Sequence, residues 1–403
     1  LWIYLDKKRW KEIINVLNSR RQELAIEFQL AIRPYYNVSQ DDLFGNTADA
    51  ININSNQQLM DLFNNKLHLN LPSTSTGVLS NVDHPIVNIL KEYRNYEKIV
   101  SSFGDSVLDK INPVTKRIHP EFHQLRAATG RFACNNPNIQ QIPRNTKEAP
   151  FRECFNPEPG YKLVVSDYSQ FEMRVLAELS GDENLRRAYA EGLDLHSYTA
   201  ALMFDKPYSA DFKKKFPEYR QMAKPLNFGI MYGLSPIGLS RQMKLYGKDL
   251  SIDEAEDLIK KYFRGYPGVK RYLDRQSNFV LKNGFSKTPA GRKRWYKIPD
   301  KTDMEYGRKI SGIKNAAKNH PIQGTNADAI KYALVFVHER MQKDGIEGGI
   351  ILTVHDEIAC EIREDQAEKF AETLSEEMVR AAEMYLKEVP VRSDPFVGDV
   401  WEH

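Results

Sequence analysis

The stretch Gly349-Ile350-Ile351-Leu352-Thr353-Val354-His355-Asp356-Glu357-Ile358-Ala359-Cys360-Glu361-Ile362 leaves the chain few ways to fold. Two apolar runs flank three polar positions, which is the pattern of a β-hairpin. Tight hairpin turns usually carry Asn-Gly or Asp-Gly, because those residues accept positive φ. Here the turn carries an imidazole and two carboxylates instead. A conflict between local turn chemistry and the surrounding pattern points to function at the tip.

Another carboxylate closes a strand near the middle of the chain. Lys162-Leu163-Val164-Val165-Ser166-Asp167 is a short apolar run, and Tyr168-Ser169-Gln170-Phe171-Glu172-Met173-Arg174 leads from it into a helix through Leu176 and Leu179. Asp at a strand end suits a metal site and suits a helix cap equally well. Farther on, Arg220, Lys224, Phe228 and Tyr232 recur every four residues, so a helix carries them as one slowly drifting stripe. Two cations followed by two aromatics fit a ligand with a polyanionic end and a flat end, such as a nucleoside triphosphate. A surface helix whose basic end precedes a buried aromatic end fits the same spacing, and spacing alone leaves both open. Pro225 lies inside this stretch. It removes the bond to the Gln221 carbonyl at a cost of about 3 kcal/mol if nothing compensates, and reads as a hinge or as a tolerated kink.

At 403 residues the chain has room for two or three domains, and 41% hydrophobic with 28% charged residues is ordinary for a soluble globular protein. The net charge of +3 does not argue for nucleic acid by itself. Its distribution says more: Gly291-Arg292-Lys293-Arg294-Trp295-Tyr296-Lys297 is basic with aromatics, whereas Glu364 to Glu388 is rich in acid. A basic channel offset by an acidic outer helix gives such a sum, and so do plain solvated faces, the commoner source of charge runs. The three cysteines are scattered without a Cys-x-x-Cys pair, which points to a reducing compartment and away from zinc. Pro120 between His119 and His123 favours an extended, structural segment over a metal-binding helix. No apolar run reaches membrane-spanning length, and the first residue is Leu, as in a fragment.

The spacing of Trp10, Ile13, Ile14 and Leu17 predicts a helix from Trp2 to Leu30, followed by a loop from Asn37 to Asn54. Ser55 reads as the N-cap of a short helix containing Leu59, Leu62 and Phe63. Leu71 to Gly77 forms a small polar tip, suited to phosphate contacts or to a plain connection. A second helix is expected from Pro85 to Ser101, with Ile86, Ile89, Leu90 and Tyr93 on one face. A long helix from Asp365 to Lys387 carries Ala367, Phe370, Leu374, Met378 and Ala381 on the side expected to cover a sheet.

These segments resemble, in order, the motifs of family A DNA polymerases, the DNA polymerase I type. The matching words are His84-Pro85 with Glu92-Tyr93-Arg94; Thr129-Gly130-Arg131 with Pro137-Asn138-Ile139-Gln140-Gln141-Ile142-Pro143; and motif A around Asp167. After them come Asp194-Leu195-His196; Arg220-x-x-x-Lys224-x-x-Asn227-Phe228-Gly229-x-x-Tyr232-Gly233; Asn319-His320-Pro321-Ile322-Gln323-Gly324; and motif C at His355-Asp356-Glu357. Ala133-Cys134 stands where many relatives have Ser-Ser, and Asn315 stands where the best-known bacterial members carry Arg. The latter difference implies that one interaction with the template is missing or rerouted.

The resemblance implies an α+β right-hand polymerase fold with an antiparallel-sheet palm. It places a helical thumb at 1–110, a first palm segment at 111–185, helical fingers at 186–312 and a second palm segment at 313–403. It implies DNA synthesis on a primer–template from dNTPs, in a cytoplasmic monomer that has no membrane partner. The cofactors implied are two Mg²⁺ ions, with Mn²⁺ as a substitute, held by Asp167, Asp356 and the Tyr168 backbone carbonyl, with Glu357 close by. Two divalent ions roughly 3.5–4 Å apart can activate the attacking oxygen and neutralise the phosphate. Arg220, Lys224, His196 and Gln170 then meet the triphosphate, with Lys224 as the acid that protonates pyrophosphate. Phe228 faces the sugar, Tyr232 the template base, and Glu172 blocks a ribose 2′-hydroxyl. Arg131, Gln323 and His355 line the minor groove at the primer end, with Asn319 and Arg174 as further DNA contacts. A single-subunit RNA polymerase shares the hand and both aspartates, but Glu172 and Phe228-Gly229 argue against it. An inactive polymerase-like DNA-binding subunit is opposed by the presence of Asp167, Asp356, Arg220 and Lys224 together. No second acidic cluster suggests a proofreading site in this sequence.

Overall fold

The computed structural model describes residues 3–36 and 50–402, so most of the expected loop at 37–54, and Trp2, lie outside the described residues. Two compact units divide the chain. One gathers residues up to 119 with 141–156 and the segment from 400; the other gathers 120–140 with 157–399.

The first unit opens with a strand where a helix was expected. Ile3–Leu5 (β1) pairs antiparallel with Arg117–Ile118 and with Phe155–Asn156. Its alternating burial puts Ile3 and Leu5 inside and Tyr4 outside, the period of a strand. Asp6 then caps Lys7–Ile32 (α1), its carboxylate accepting the Arg9 amide at 2.9 Å. Trp10, Ile13, Ile14 and Leu17 form the buried face that the spacing predicts. Pro85–Phe103 (α2) packs along α1 and begins with Pro at its first turn, where a missing amide costs nothing. Ser55 does cap its helix, through the Gln58 amide. The Leu71–Gly77 tip is held from within: the Thr74 hydroxyl is buried and donates to Asn56 at 2.6 Å, and Arg94 donates to the Thr74 carbonyl.

The second unit is built on a four-stranded antiparallel sheet of Tyr161–Tyr168 (β2), Gly348–Val354 (β3), Glu357–Arg363 (β4) and Ser393–Gly398 (β5), in the order β5-β2-β4-β3. β2 is central and buried on both faces, which explains its uninterrupted apolar run. Pro395 is tolerated because β5 is an edge strand. Glu364–Ala382 (α3) lies against β2 and β5, and the expected residues Ala367, Phe370, Leu374, Met378 and Ala381 are all buried. The Tyr168 hydroxyl donates to the Met378 carbonyl at 2.5 Å, tying sheet to helix.

Helices carry the rest of this unit. Those that matter here are Phe171–Ser180, Leu195–Met203, Pro217–Gly229, Pro267–Asn283 and the 39-residue Tyr306–Asp344. The Pro217–Gly229 helix runs through Pro225, which is buried. It ends in one 3₁₀ turn, Ile230–Tyr232, and Gly233 closes that turn at φ 77°. The left-handed backbone at Gly233 favours glycine, and a Cβ there would force the Asn315 side chain to move. The architecture is therefore α+β with an antiparallel sheet, as the resemblance implies. No helix of the described residues is long and apolar enough to cross a membrane. Cys134, Cys154 and Cys360 are buried free thiols.

Candidate active site

The hairpin tip is tighter than the sequence suggests: β3 ends at Val354 and β4 begins at Glu357, so only His355 and Asp356 form the turn. His355 takes φ 55°, a position that a two-residue hairpin normally gives to glycine. Glu357 thereby becomes the first residue of β4, directly opposite Asp167 on β2. Directly paired residues point to one face of a sheet, so both carboxylates share a side. Asp394 of β5 stands opposite Asp167 from the other edge. The Tyr168 amide donates to the Asp356 carbonyl at 3.3 Å, which draws the turn onto the end of β2. The Asp356 carboxyl is pushed up to about 6, first by burial and then by the neighbouring Asp167 charge. Two acids that resist joint ionisation form a site ready for a compensating cation. The Tyr168 ring points away, stacked on Phe171 at 4.4 Å, so only its main chain faces this site.

Beside the sheet, the Leu195–Met203 helix packs against the Pro217–Gly229 helix. Asp194 caps the former by accepting the Ser197 amide at 2.7 Å. The same carboxylate takes Nε and Nη2 of Arg220 at 3.1 and 2.9 Å. Against the burial that would raise it, Arg220 and the Ser197 amide hold Asp194 down to about 2. The fork of Arg220 is thus preset. Lys224 is exposed one turn later. His196 is buried and held down to about 4, by burial first and then by Arg220 and Lys224, so its ring is neutral at physiological pH. Phe228 stands beside it with ring centroids 5.5 Å apart and is 47% exposed. Gln170 takes φ 53° where β2 turns into the next helix, and its side-chain carbonyl accepts from Tyr189 at 3.1 Å, which leaves its amide N–H groups pointing elsewhere.

A third cluster joins Glu172, Arg131, Tyr232 and Gln323. Glu172 accepts from the Tyr232 hydroxyl and from Arg131, and Gln323 lies 3.5 Å from the same hydroxyl. Burial and then the Glu172 charge push the Tyr232 phenol up to about 12. Tyr232 sits on the 3₁₀ turn rather than on the α-helix itself, so the four-residue stripe ends at Phe228. Arg131 is placed by Gly130, whose φ of 85° lets it lie against Arg292. Arg292 is in turn paired with buried Asp328.

Arg174 is buried, donates to the Ser169 carbonyl at 2.7 Å and to the Pro390 carbonyl, and stacks on Tyr189. These bonds to main-chain carbonyls brace the end of β2. Asn319 is half-buried on the 39-residue helix, with Oδ1 unsatisfied. Asn315 packs on Gly233 instead of reaching outward. The sequence did not reveal Asp194 as the partner of Arg220; only the Asp-x-x-Ser capping pattern marks it. Among the described residues no group of three or more potential metal ligands is assembled.

The antiparallel sheet thus carries Asp356 on a hairpin turn and Asp167 on the neighbouring strand, and a helix of the same unit carries Arg220, Lys224 and Phe228. The chain belongs to the DNA polymerase family A, whose model matches residues 26–403. It is 38% identical to DNA polymerase I of Caldicellulosiruptor bescii, over 82% of this chain and 39% of that protein. It is 33% identical to the thermostable DNA polymerase I of Thermus filiformis, over 100% of this chain and 48% of that protein. The chain spans less than half the length of these curated relatives. Among solved structures, the POL domain of Pol1 from M. smegmatis, in complex with DNA primer–template and dNTP, superposes with a TM-score of 0.80. That match has 30% identity and covers 99% of this chain and 67% of that one.

Proposed function

We propose that this chain adds deoxynucleoside monophosphates from dNTPs to the 3′-hydroxyl of a DNA primer under the direction of a template strand. The observation that carries the reading is the closure of the hairpin tip onto the end of β2, which buries the Asp356 carboxyl beside Asp167; burial first and the Asp167 charge second raise it to about 6. The likeness to a polymerase domain solved with primer–template and dNTP supports the same partners here.

Asp167 and Asp356 would hold divalent cations, Mg²⁺ or Mn²⁺, with the Tyr168 main-chain carbonyl and Glu357 alongside. When bound, such ions lower the pKa of an attacking hydroxyl and neutralise phosphate charge. The protein's own groups do the rest. Arg220, fixed by Asp194, presents its remaining donors to the β- and γ-phosphates, and Gln170 adds its amide. Lys224, exposed one turn on, delivers a proton to the leaving pyrophosphate. Phe228 supports the sugar while Glu172, anchored by Tyr232 and Arg131, occupies the space of a 2′-hydroxyl. Arg131, Gln323 and His355 read groove acceptors common to all four base pairs, which suits an enzyme that accepts every correct pair. Asn319 contributes to the template side. We assign the 186–312 segment to fingers, residues up to about 110 to a thumb, and the sheet segments to a palm, with a monomer as the working unit.

Primer extension tests this reading. With Mg²⁺ and dNTPs the purified chain is expected to extend a primer to the end of its template, with rNTPs poorly or not at all. Extension with rNTPs at comparable rates, or DNA binding without extension, would favour an RNA polymerase or an inactive subunit instead.

A further inference from the structure

Behind His196 a line of buried polar groups runs into the core. Asn227, on the Pro217–Gly229 helix, has its Nδ2 2.9 Å from His196 Nδ1. Its Oδ1 accepts from the Thr199 hydroxyl at 3.0 Å, and the Tyr266 hydroxyl lies 2.8 Å from that same Thr199 oxygen. Asn227, Thr199 and Tyr266 are 0% exposed and His196 is 7% exposed, so water does not compete for these bonds. The donors and acceptors can be counted along the line. A buried phenol must donate its proton somewhere, and Thr199 is in reach. Thr199 then accepts from Tyr266 and spends its own proton on Asn227 Oδ1. With Oδ1 committed to the Thr199 hydroxyl proton, Nδ2 is the end of the amide that faces His196. An amide NH₂ can only donate, so His196 Nδ1 must carry the lone pair. A neutral imidazole with a lone pair on Nδ1 carries its single proton on Nε2.

We propose that Tyr266, Thr199 and Asn227 are positioning residues that hold His196 as the Nε2–H tautomer, so that its ring always presents a donor, never an acceptor, to the triphosphate. The proposal rests on the assignment of His196 to the phosphates of an incoming nucleotide. Its logic is that of a partner group selecting the useful tautomer of a functional histidine. An Nδ1–H imidazole in the same place would aim a lone pair at phosphate oxygen. A neutral histidine therefore needs such a relay more than a charged one, which donates from both nitrogens. The depressed pKa of His196, set by burial and by Arg220 and Lys224, agrees with this design.

Two measurements on the whole chain test it. The first is ¹⁵N–¹H correlation of histidine side chains at pH 7, with the His196 signals assigned by their loss in His196→Ala. The expected result is one neutral tautomer protonated at Nε2 in the wild type and a mixture in Thr199→Val. The second is a double-mutant cycle on dTTP affinity for the enzyme–primer–template complex. Thr199→Val should weaken dTTP roughly tenfold, the size of one hydrogen bond to a charged group, and less than twofold in the His196→Ala background. Tyr266→Phe serves as a second entry into the same cycle should Thr199→Val fold poorly. An Nδ1–H tautomer in the wild type overturns the proposal. So does an equal loss in both backgrounds, because mere packing damage would act without His196. If the wild type binds no dTTP at all, the reading of the site as a nucleotide pocket fails, while the tautomer measurement still decides the relay.

Discussion

Replacing Asp356 by Asn should stabilise the metal-free protein while abolishing synthesis. The Asp356 carboxyl is raised from 3.8 to about 6 by burial and by Asp167. Its folded form therefore keeps a proton that the unfolded chain has already released between about pH 4 and 6. Stability from this group is fully present below pH 4 and is lost as pH rises through 6. A shift of about two units at about 1.4 kcal/mol each gives a penalty near 3 kcal/mol above pH 6. Asn has the shape of the protonated acid and carries no charge, so Asp356→Asn escapes that penalty. The assay is thermal melting in EDTA at pH 4.5 and pH 7.5. The mutant should melt roughly 5 °C above the wild type at pH 7.5 and close to it at pH 4.5. Adding millimolar Mg²⁺ should raise the wild-type melting point, since a ligand of the folded state stabilises it, and should leave the mutant nearly unmoved. Equal melting points at pH 7.5, or a difference that persists unchanged at pH 4.5, would refute the claim that crowding of Asp356 and Asp167 shapes this site.

Three further outcomes follow from the neighbouring clusters. Glu172→Ala should raise ribonucleotide insertion far more than deoxynucleotide insertion, and an unchanged ratio in single-nucleotide competition would move the sugar gate elsewhere. Phe228 is exposed beside His196 and has no hydroxyl, so the wild type should discriminate against dideoxynucleotides. Phe228→Tyr should reduce that discrimination roughly ten- to a hundredfold in dTTP versus dideoxy-TTP competition, the worth of a hydrogen bond to a charged group. Gly233→Ala should cost at least about 1 kcal/mol in denaturant melts, because a Cβ would collide with the Asn315 side chain and the backbone is left-handed. Adding Asn315→Ala should restore only part of the loss, and complete restoration would mean that the backbone conformation costs nothing.

The elements that carry the candidate site were legible where their residues break local rules or keep a clear spacing. Carboxylates at a hairpin tip marked the turn at His355 and Asp356, and the four-residue spacing placed Arg220, Lys224 and Phe228 on one helix, although that spacing fitted a structural reading as well. The long apolar faces of α1 and α3 were equally plain, since a 3.6-residue period survives any tertiary context. The three-residue β1 was not, because its partners at 117–118 and 155–156 lie more than a hundred residues away and a short alternation merges with the helix that follows. Distance in sequence also hid the pairing of Asp194 with Arg220, and the line from Tyr266 to His196. The bonds of Arg174 to the Ser169 and Pro390 carbonyls were hidden for the same reason, since Pro390 lies more than two hundred residues away.

The central claim is that Asp167 and Asp356 together run nucleotide addition, and single-turnover kinetics tests it most directly. Preform the complex of enzyme with primer–template, mix with Mg²⁺ and the next complementary dNTP, and compare wild type with Asp167→Ala and Asp356→Ala while measuring DNA affinity in parallel. Phosphate contacts elsewhere should keep primer–template binding within a few-fold of wild type in both variants. The account predicts rapid addition of one templated nucleotide by the wild type and none detectable by either variant. Addition at wild-type rates by either variant, with DNA binding intact, would contradict it.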